Sequence, residues 1–257
     1  MGFDFLDDKV SLPKEWHFEN IKIVLDSFPQ VYNEGLVAKY KVNSTLTFYY
    51  NTILYSLGGA ICVTLVPCLV SYIVSKYGKK FKILNIYTTI VIVCMSIPLV
   101  GSTASELQIA YKLKMIDQFW GQWFMKSYFL GMYYLVFLAS FKTIPDSYME
   151  AAKIDGAGNF SIMVRIMLPL VKNVFFTILL IKFIELWNDY QTPLLFLPHR
   201  PTISFALFKF TNSFDYTLSN ATMQLAGCLV VFVPILIIFI IFQKRIMGNI
   251  SMGGLKE

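Results

Sequence analysis

The sequence predicts an all-α polytopic membrane protein, and three observations carry that prediction. Of 257 residues, 56% are hydrophobic and only 15% are charged, against roughly 25% charged in an average soluble domain. Mean hydropathy is +0.58, and a soluble chain of this length would need far more polar surface. The apolar residues also gather into runs approaching the roughly 20 residues that a helix needs to cross the hydrocarbon.

Five spans are predicted. The first lies within 47–75, where no charge falls between Lys41 and Lys76. The second covers 83–104, the third 119–141 with Lys126 near one end, the fourth 169–190 and the fifth 221–243. Pro67, Pro98 and Pro234 sit inside spans, where neighbouring helices can absorb a kink.

Lys76, Lys79, Lys80 and Lys82 crowd the first linker, and Lys244 and Arg245 open the tail. Basic residues beside span ends stay on the cytoplasmic side. This divides the chain into an extracytoplasmic segment 1–46, a membrane domain 47–243 with a cytoplasmic loop 142–168, and a cytoplasmic tail 244–257. Segments 105–118 and 191–220 fall outside. Trp120, Trp123 and Trp187 then lie near the outer interface, as an aromatic belt would place them.

Net charge is +6, but the basic residues lie between apolar runs rather than on one face, which argues against nucleic-acid binding. Cys62, Cys68, Cys94 and Cys228 all lie within apolar runs and read as small buried hydrophobes. His17 and His199 are isolated, so neither a metal nor a cofactor site is expected. The first forty-six residues are polar and net acidic, unlike a cleaved leader.

The fourth span carries Lys182, Glu185 and Asp189 at i, i+3 and i+7, one helical stripe. Ionisable groups at membrane depth face a bundle interior or a water-filled path. The stripe reads as an ion pair fixing helix register, as pathway lining, or as side chains snorkelling near the interface. Register fixing predicts that Glu185→Ala lowers assembly; pathway lining predicts that it lowers flux.

The loop 142–168 carries the most specific signal. Pro145 predicts an extended approach, Ser147 with Glu150 a capping box starting a helix at Tyr148, and Gly156 and Gly158 its stop. Tyr148, Met149, Ala152 and Ile154 are expected on exposed faces. A second helical stretch runs from Phe160 to Leu168, ahead of Pro169. A short helix lying on the bilayer would explain the amphipathicity, but not the cap, the Ala151-Ala152 pair and the glycine stop together.

Glu150-Ala151-Ala152, Gly156 after three residues, Ile166 after nine more and then Leu168-Pro169 resemble the EAA loop of ATP-binding-cassette (ABC) importer permeases. The string EAAKIDGA…LPL is similar to the carbohydrate-uptake branch, of the kind represented by the smaller maltose permease subunit. Asn51-Thr52, Trp120-Gly121, Trp187-Asn188-Asp189 and Phe242-Gln243-Lys244-Arg245 also look like that branch, and the likeness runs from about residue 17 to the end. The resemblance implies a type I ABC importer transmembrane domain in a bacterial plasma membrane. Ser147–Gly156 would be the coupling helix, with Glu150 capping it and touching an ATPase, Ala151, Ala152 and Gly156 permitting close docking, and Asp155 tying the turn. It implies two cytoplasmic ATP-binding subunits, a second and different permease, an extracytoplasmic solute-binding protein, and a sugar, oligosaccharide or glycoside as solute. The family usually has six spans. Pro13–Asn20 resembles the external segment after the first, so that first span is the expected missing piece: either residue 1 is internal to a longer gene product or the protein is truncated. Leu194-Leu195-Phe196-Leu197, within Thr192–Asn220, reads equally as a receptor contact or as an apolar interfacial loop.

No GxxxxGK[ST] nucleotide loop occurs in the sequence, so hydrolysis is expected from partners. An importer for a non-sugar solute is the alternative, followed by a secondary transporter or channel; the latter would want internal repeats or several intramembrane charges. A membrane enzyme would need a catalytic constellation that two distant histidines do not supply.

Overall fold

The computed structural model describes residues 18–34, 40–78, 80, 81, 83–97, 101–128, 130–213 and 220–247, Asn85 and the last five without their side chains. The readings placed on Pro13–His17, Lys79, Lys82, Pro98, the Gln243-Lys244-Arg245 side chains and the tail beyond 247 fall outside the described residues.

The architecture is all α. In chain order the helices are α1 (Glu19–Asn33), α2 (Thr45–Tyr77), α3 (Ile83–Ser96), α4 (Thr103–Lys112), α5 (Phe119–Lys126), α6 (Met132–Lys142) and α7 (Ser147–Ile154). Then come α8 (Asn159–Ile162), a π-turn (Met163–Met167), α9 (Leu168–Leu170), α10 (Lys172–Asn188), α11 (Gln191–Phe196), α12 (Ile203–Thr211) and α13 (Ala221–Met247).

The long central helix α2 is the hub, packing against α5, α6, α10 and α12. Its extended N-cap, Ser44, accepts from the amide of Leu46 at 3.3 Å, satisfying one of the donors a helix start leaves free. At 1.5 Å per residue its 33 residues reach about 50 Å, well beyond the ~30 Å hydrocarbon. Thr52 and Ser56 are fully buried and return their hydroxyls to the carbonyls of Phe48 and Thr52, each at 2.6 Å. Four-residue back-bonding of this kind lets hydroxyls lie inside an apolar bundle.

Two apolar clusters sit at opposite ends of α2. One gathers Phe48, Tyr55 and Ala60 with Phe28 and Tyr32 of α1, Phe183 and Trp187 of α10, Phe205 and Phe210 of α12, and Val230 and Ile235 of α13. The other gathers Cys68 and Tyr72 with Phe137 and Phe141 of α6, Met149 and Ala152 of α7, and Ile162, Met167 and Ile178. The first cluster locks α1 to the bundle: the Tyr32 hydroxyl donates to the Pro198 carbonyl at 2.6 Å. Burial, then the charge of Asp117, pushes that phenol up to about 12, so it remains a donor at any physiological pH.

Among the described residues, only α2 and α13 are long and apolar enough to cross a bilayer as single helices. The pair 159–170 and 172–188, bent by 75°, makes a third if taken as one crossing. That is two or three long spans rather than the five expected. The second predicted span ends as a helix at Ser96, and α3, about 21 Å long, is shorter than the hydrocarbon. The third is broken into α5 and α6 around Ser127–Gly131. There the Ser127 hydroxyl returns to the Trp123 carbonyl, and the backbone at Gly131 is fully extended. Hydropathy averages across such breaks.

Outward faces of α3 and α13 carry Ile86, Ile90, Val93, Ile237, Ile240 and Ile241 exposed, a surface suited to acyl chains rather than water. Trp187 corrects the aromatic-belt reading. It is 1% exposed, its Nε1 donates to the Val231 carbonyl at 3.2 Å, and it belongs to the core. Phe196 and Leu197 are likewise buried, leaving Leu195 as the exposed member of that run. Cys228 is exposed rather than buried.

Candidate functional site: a seated loop helix and a polar pocket

The loop between α6 and α10 folds as a short helix seated on the bundle. Met149 and Ala152, three residues apart on one face of α7, are buried against Cys68, Tyr72, Phe137 and Phe141. This corrects the expectation that both would be exposed. Two turns of helix cannot stand alone, and the small Ala152 lets α7 lie close to its neighbours. Ile166 and Leu168 join the same cluster. Ser147, Glu150, Ala151, Asp155, Gly156 and Pro169 remain exposed with Tyr148 and Ile154, the last 86% exposed. The motif thus divides into an inward set that seats the helix and an outward set left on its free surface.

The glycine stop forms by backbone geometry. Gly156 has φ +80°, its amide donates to the Lys153 carbonyl at 3.0 Å, and the Ala157 amide donates to the Ala152 carbonyl at 2.9 Å. This paired closure with a left-handed residue is the Schellman motif. The bonds that close the turn are backbone bonds, not bonds from the Asp155 carboxylate.

The start of α7 differs from expectation. The cap position is Asp146, already in helical conformation and making no side-chain bond to the helix amides, and Ser147 is the first helical residue. Backbone carbonyls serve instead: the amides of Met149 and Glu150 donate to the Asp146 carbonyl at 2.9 and 3.1 Å. The Asp146 carboxylate points elsewhere. It pairs at 3.1 Å with Lys76 in the last turn of α2, and the Lys76 ammonium also donates to the Ile144 carbonyl at 2.6 Å. The Lys76 side chain is only 2% exposed, so its charge is held by these acceptors. Sequence reading counted Lys76 only as one basic residue among several; its run of positive neighbours hid a specific partner seventy residues away.

The second constellation lies beside the α5–α6 break. Val63, Lys126, Tyr128, Lys182, Glu185, Leu186 and Asp189 line a polar cavity of about 240 Å³. The three stripe residues meet there, but not as one ladder. Lys182 pairs with Glu185 and lies 4.7 Å from the centre of the Tyr133 ring. Asp189 stands past the end of α10, where it accepts from Lys126 at 3.0 Å, the Tyr55 hydroxyl at 2.7 Å and the Thr192 amide at 3.0 Å. Tyr55 and Lys126 were missed as site residues. A lone lysine at the end of a predicted span was the available signal. Irregular backbone at membrane depth is tolerated where protein buries it or it lines a polar cavity.

Among the described residues the chain is a helical bundle that seats a short loop helix and holds a polar pocket beside a broken helix, an arrangement suited to a membrane permease. The chain belongs to the family of binding-protein-dependent transport system inner membrane components, whose model matches residues 68–248. It is an ABC importer permease subunit and not a catalytic enzyme. Among curated proteins it is similar to the arabinooligosaccharides transport system permease protein AraQ of Bacillus subtilis (strain 168), with 24% identity covering 81% of this chain and 73% of that protein. It is also similar to the maltodextrin transport system permease protein MdxG of the same organism, with 27% identity covering 90% and 80%. Among solved structures, a chain of a bacterial ABC transporter involved in import of the acidic polysaccharide alginate superposes with TM-score 0.67. It is 22% identical, covering 91% of this chain and 81% of that one, and it shares the fold.

Proposed function

We propose that this permease carries a sugar, oligosaccharide or glycoside across the bacterial plasma membrane, driven by ATP hydrolysis in partner subunits. The observation that supports this most is the short helix α7, seated by Met149 and Ala152, stopped at Gly156, and presenting Glu150, Ala151 and Tyr148 outward. In this reading the loop 142–168 is cytoplasmic, Ser147–Gly156 docks on one of two ATP-binding subunits, and Ile166, Leu168 and Pro169 carry the motion into α10. The chain crosses five times, the second and third crossings by short or broken helices. Segment 1–46 lies outside, and 244–257 is a cytoplasmic tail. A second, different permease completes the pathway, and an extracytoplasmic binding protein delivers the solute. The named substrates of AraQ and MdxG support the carbohydrate class.

Lys182, Glu185 and Asp189 line the polar path in this reading. Glu185 is 58% exposed at the side chain, an expensive position unless water or a partner subunit faces it. The deciding experiment co-expresses the chain with its two ATPase subunits, partner permease and binding protein, reconstitutes them in vesicles, and offers radiolabelled maltodextrin and arabinooligosaccharide. ATP-dependent uptake that disappears without the ATPase subunits is expected. Uptake by this chain alone, driven by an ion gradient, would make it a secondary transporter.

A further inference from the structure

We propose that Lys76 is a positioning residue that latches the loop helix α7 to the end of α2, so that a displacement of α7 is delivered to α2 instead of being absorbed in the loop. This rests on the transporter reading above and adds the residue that joins the docking helix to a membrane-crossing one.

Three observations carry it. First, both bonds of the buried Lys76 ammonium go to the three-residue turn leading into α7: the Ile144 carbonyl at 2.6 Å and the Asp146 carboxylate at 3.1 Å. That turn cannot move apart from the helix, because the Pro145 and Asp146 carbonyls accept the amides of Tyr148, Met149 and Glu150, and the Pro145 ring fixes its own φ.

Second, among the described residues the contacts that α7 itself makes with the bundle are apolar, through Met149 and Ala152. Apolar contact is non-directional; it resists separation but not sliding. A charge held between a carboxylate and a carbonyl has direction, which a lever needs.

Third, α2 is gripped at its other end by directional bonds. Tyr55 donates to Asp189 at 2.7 Å, Asn51 donates to the Pro201 carbonyl at 2.9 Å, and Thr52 accepts from the Ile203 amide at 2.8 Å. Tyr55 and Lys76 stand twenty-one residues apart on one helix, about 32 Å along its axis. One continuous helix, with Pro67 inside it, therefore joins the loop helix to the polar pocket.

The test uses the intact vesicle-reconstituted complex and whichever of the two labelled oligosaccharides the wild type imports. It reads three quantities: ATPase co-purifying with the permease, ATP hydrolysed, and solute imported per ATP. Lys76→Met is expected to keep the ATPase bound and active while solute per ATP falls about five-fold or more, the range of a typical coupling free energy. Asp146→Asn, which spares the bond to Ile144, should fall less, and the double variant should fall no further than Lys76→Met alone. An intact Lys76→Met complex with the wild-type ratio overturns the latch. Equal loss of bound ATPase and of uptake in both single variants, with the ratio unchanged, also overturns it, because Lys76 would then serve assembly only. If Lys76→Met does not assemble, Asp146→Asn decides: a lowered ratio supports the latch and a wild-type ratio overturns it. A wild-type complex that is intact yet imports without ATP defeats the ATP-driven reading itself, and the latch with it.

Discussion

Lys126, the last residue of α5, reaches Asp189 just past the end of α10 at 3.0 Å, and the same carboxylate oxygen accepts the Tyr55 hydroxyl at 2.7 Å. Three helices thus meet at one acidic side chain that is 18% exposed.

Lys126→Met should leave that carboxylate without its cation. A loss of about 1–3 kcal/mol is expected, below the full cost for a deeply buried pair because both side chains keep some exposure. Thermal unfolding of the detergent-solubilised chain checks this, and Lys126→Met with Asp189→Asn should be more stable than Lys126→Met alone. A double variant that loses the sum of both single effects would mean the two groups act independently.

Gly58 lies under the Trp123 ring, and a Cβ there would overlap the indole. Gly58→Ala should force the ring outward and destabilise the α2–α5 contact by about 1–3 kcal/mol. Trp123→Leu should recover part of the loss in the double variant. The measurement is the midpoint of thermal unfolding for the three variants.

A Cβ added at Gly156 would meet nothing within 4 Å, but the backbone there has φ +80°, so its role separates strain from fit. Gly156→Val is expected to strain the Schellman turn by about 1–2 kcal/mol and to uncouple ATP hydrolysis from uptake while the chain stays inserted. Gly156→Asn, which tolerates the left-handed region, should keep more of the coupling. Normal ATP-driven uptake by Gly156→Val would remove this turn from the docking account.

Glu185→Ala leaves Lys182 against the Tyr133 ring, so register does not hang on the acid alone. Complex assembly should persist while solute flux per complex falls. Reduced assembly with unchanged flux per complex would return the Lys182–Glu185 pair to a register role.

Much of this molecule was legible because its signals are local. The uncharged stretch before Lys76 and the apolar run after Ala221 became α2 and α13. Gly156 stopped α7 because no other residue takes φ +80° as readily. What stayed hidden depends on distant partners. The Ser147–Glu150 pattern fitted a capping box, but Asp146 turned to Lys76 and the helix began one residue early. Asp189 fell on the periodicity of Lys182 and Glu185, yet it left the helix to meet Lys126 and Tyr55. Trp187 looked interfacial by its position near a span end and proved to be core. Periodicity places a residue on a face; it does not say which helix faces back.

The central claim is that the outward surface of α7 is where a motor subunit takes hold. A photo-crosslinking amino acid placed at Tyr148 or Ile154, both exposed, should capture an ATP-binding subunit in vesicles that are importing solute. Efficient import by an intact complex in which neither position ever yields that product would contradict the account.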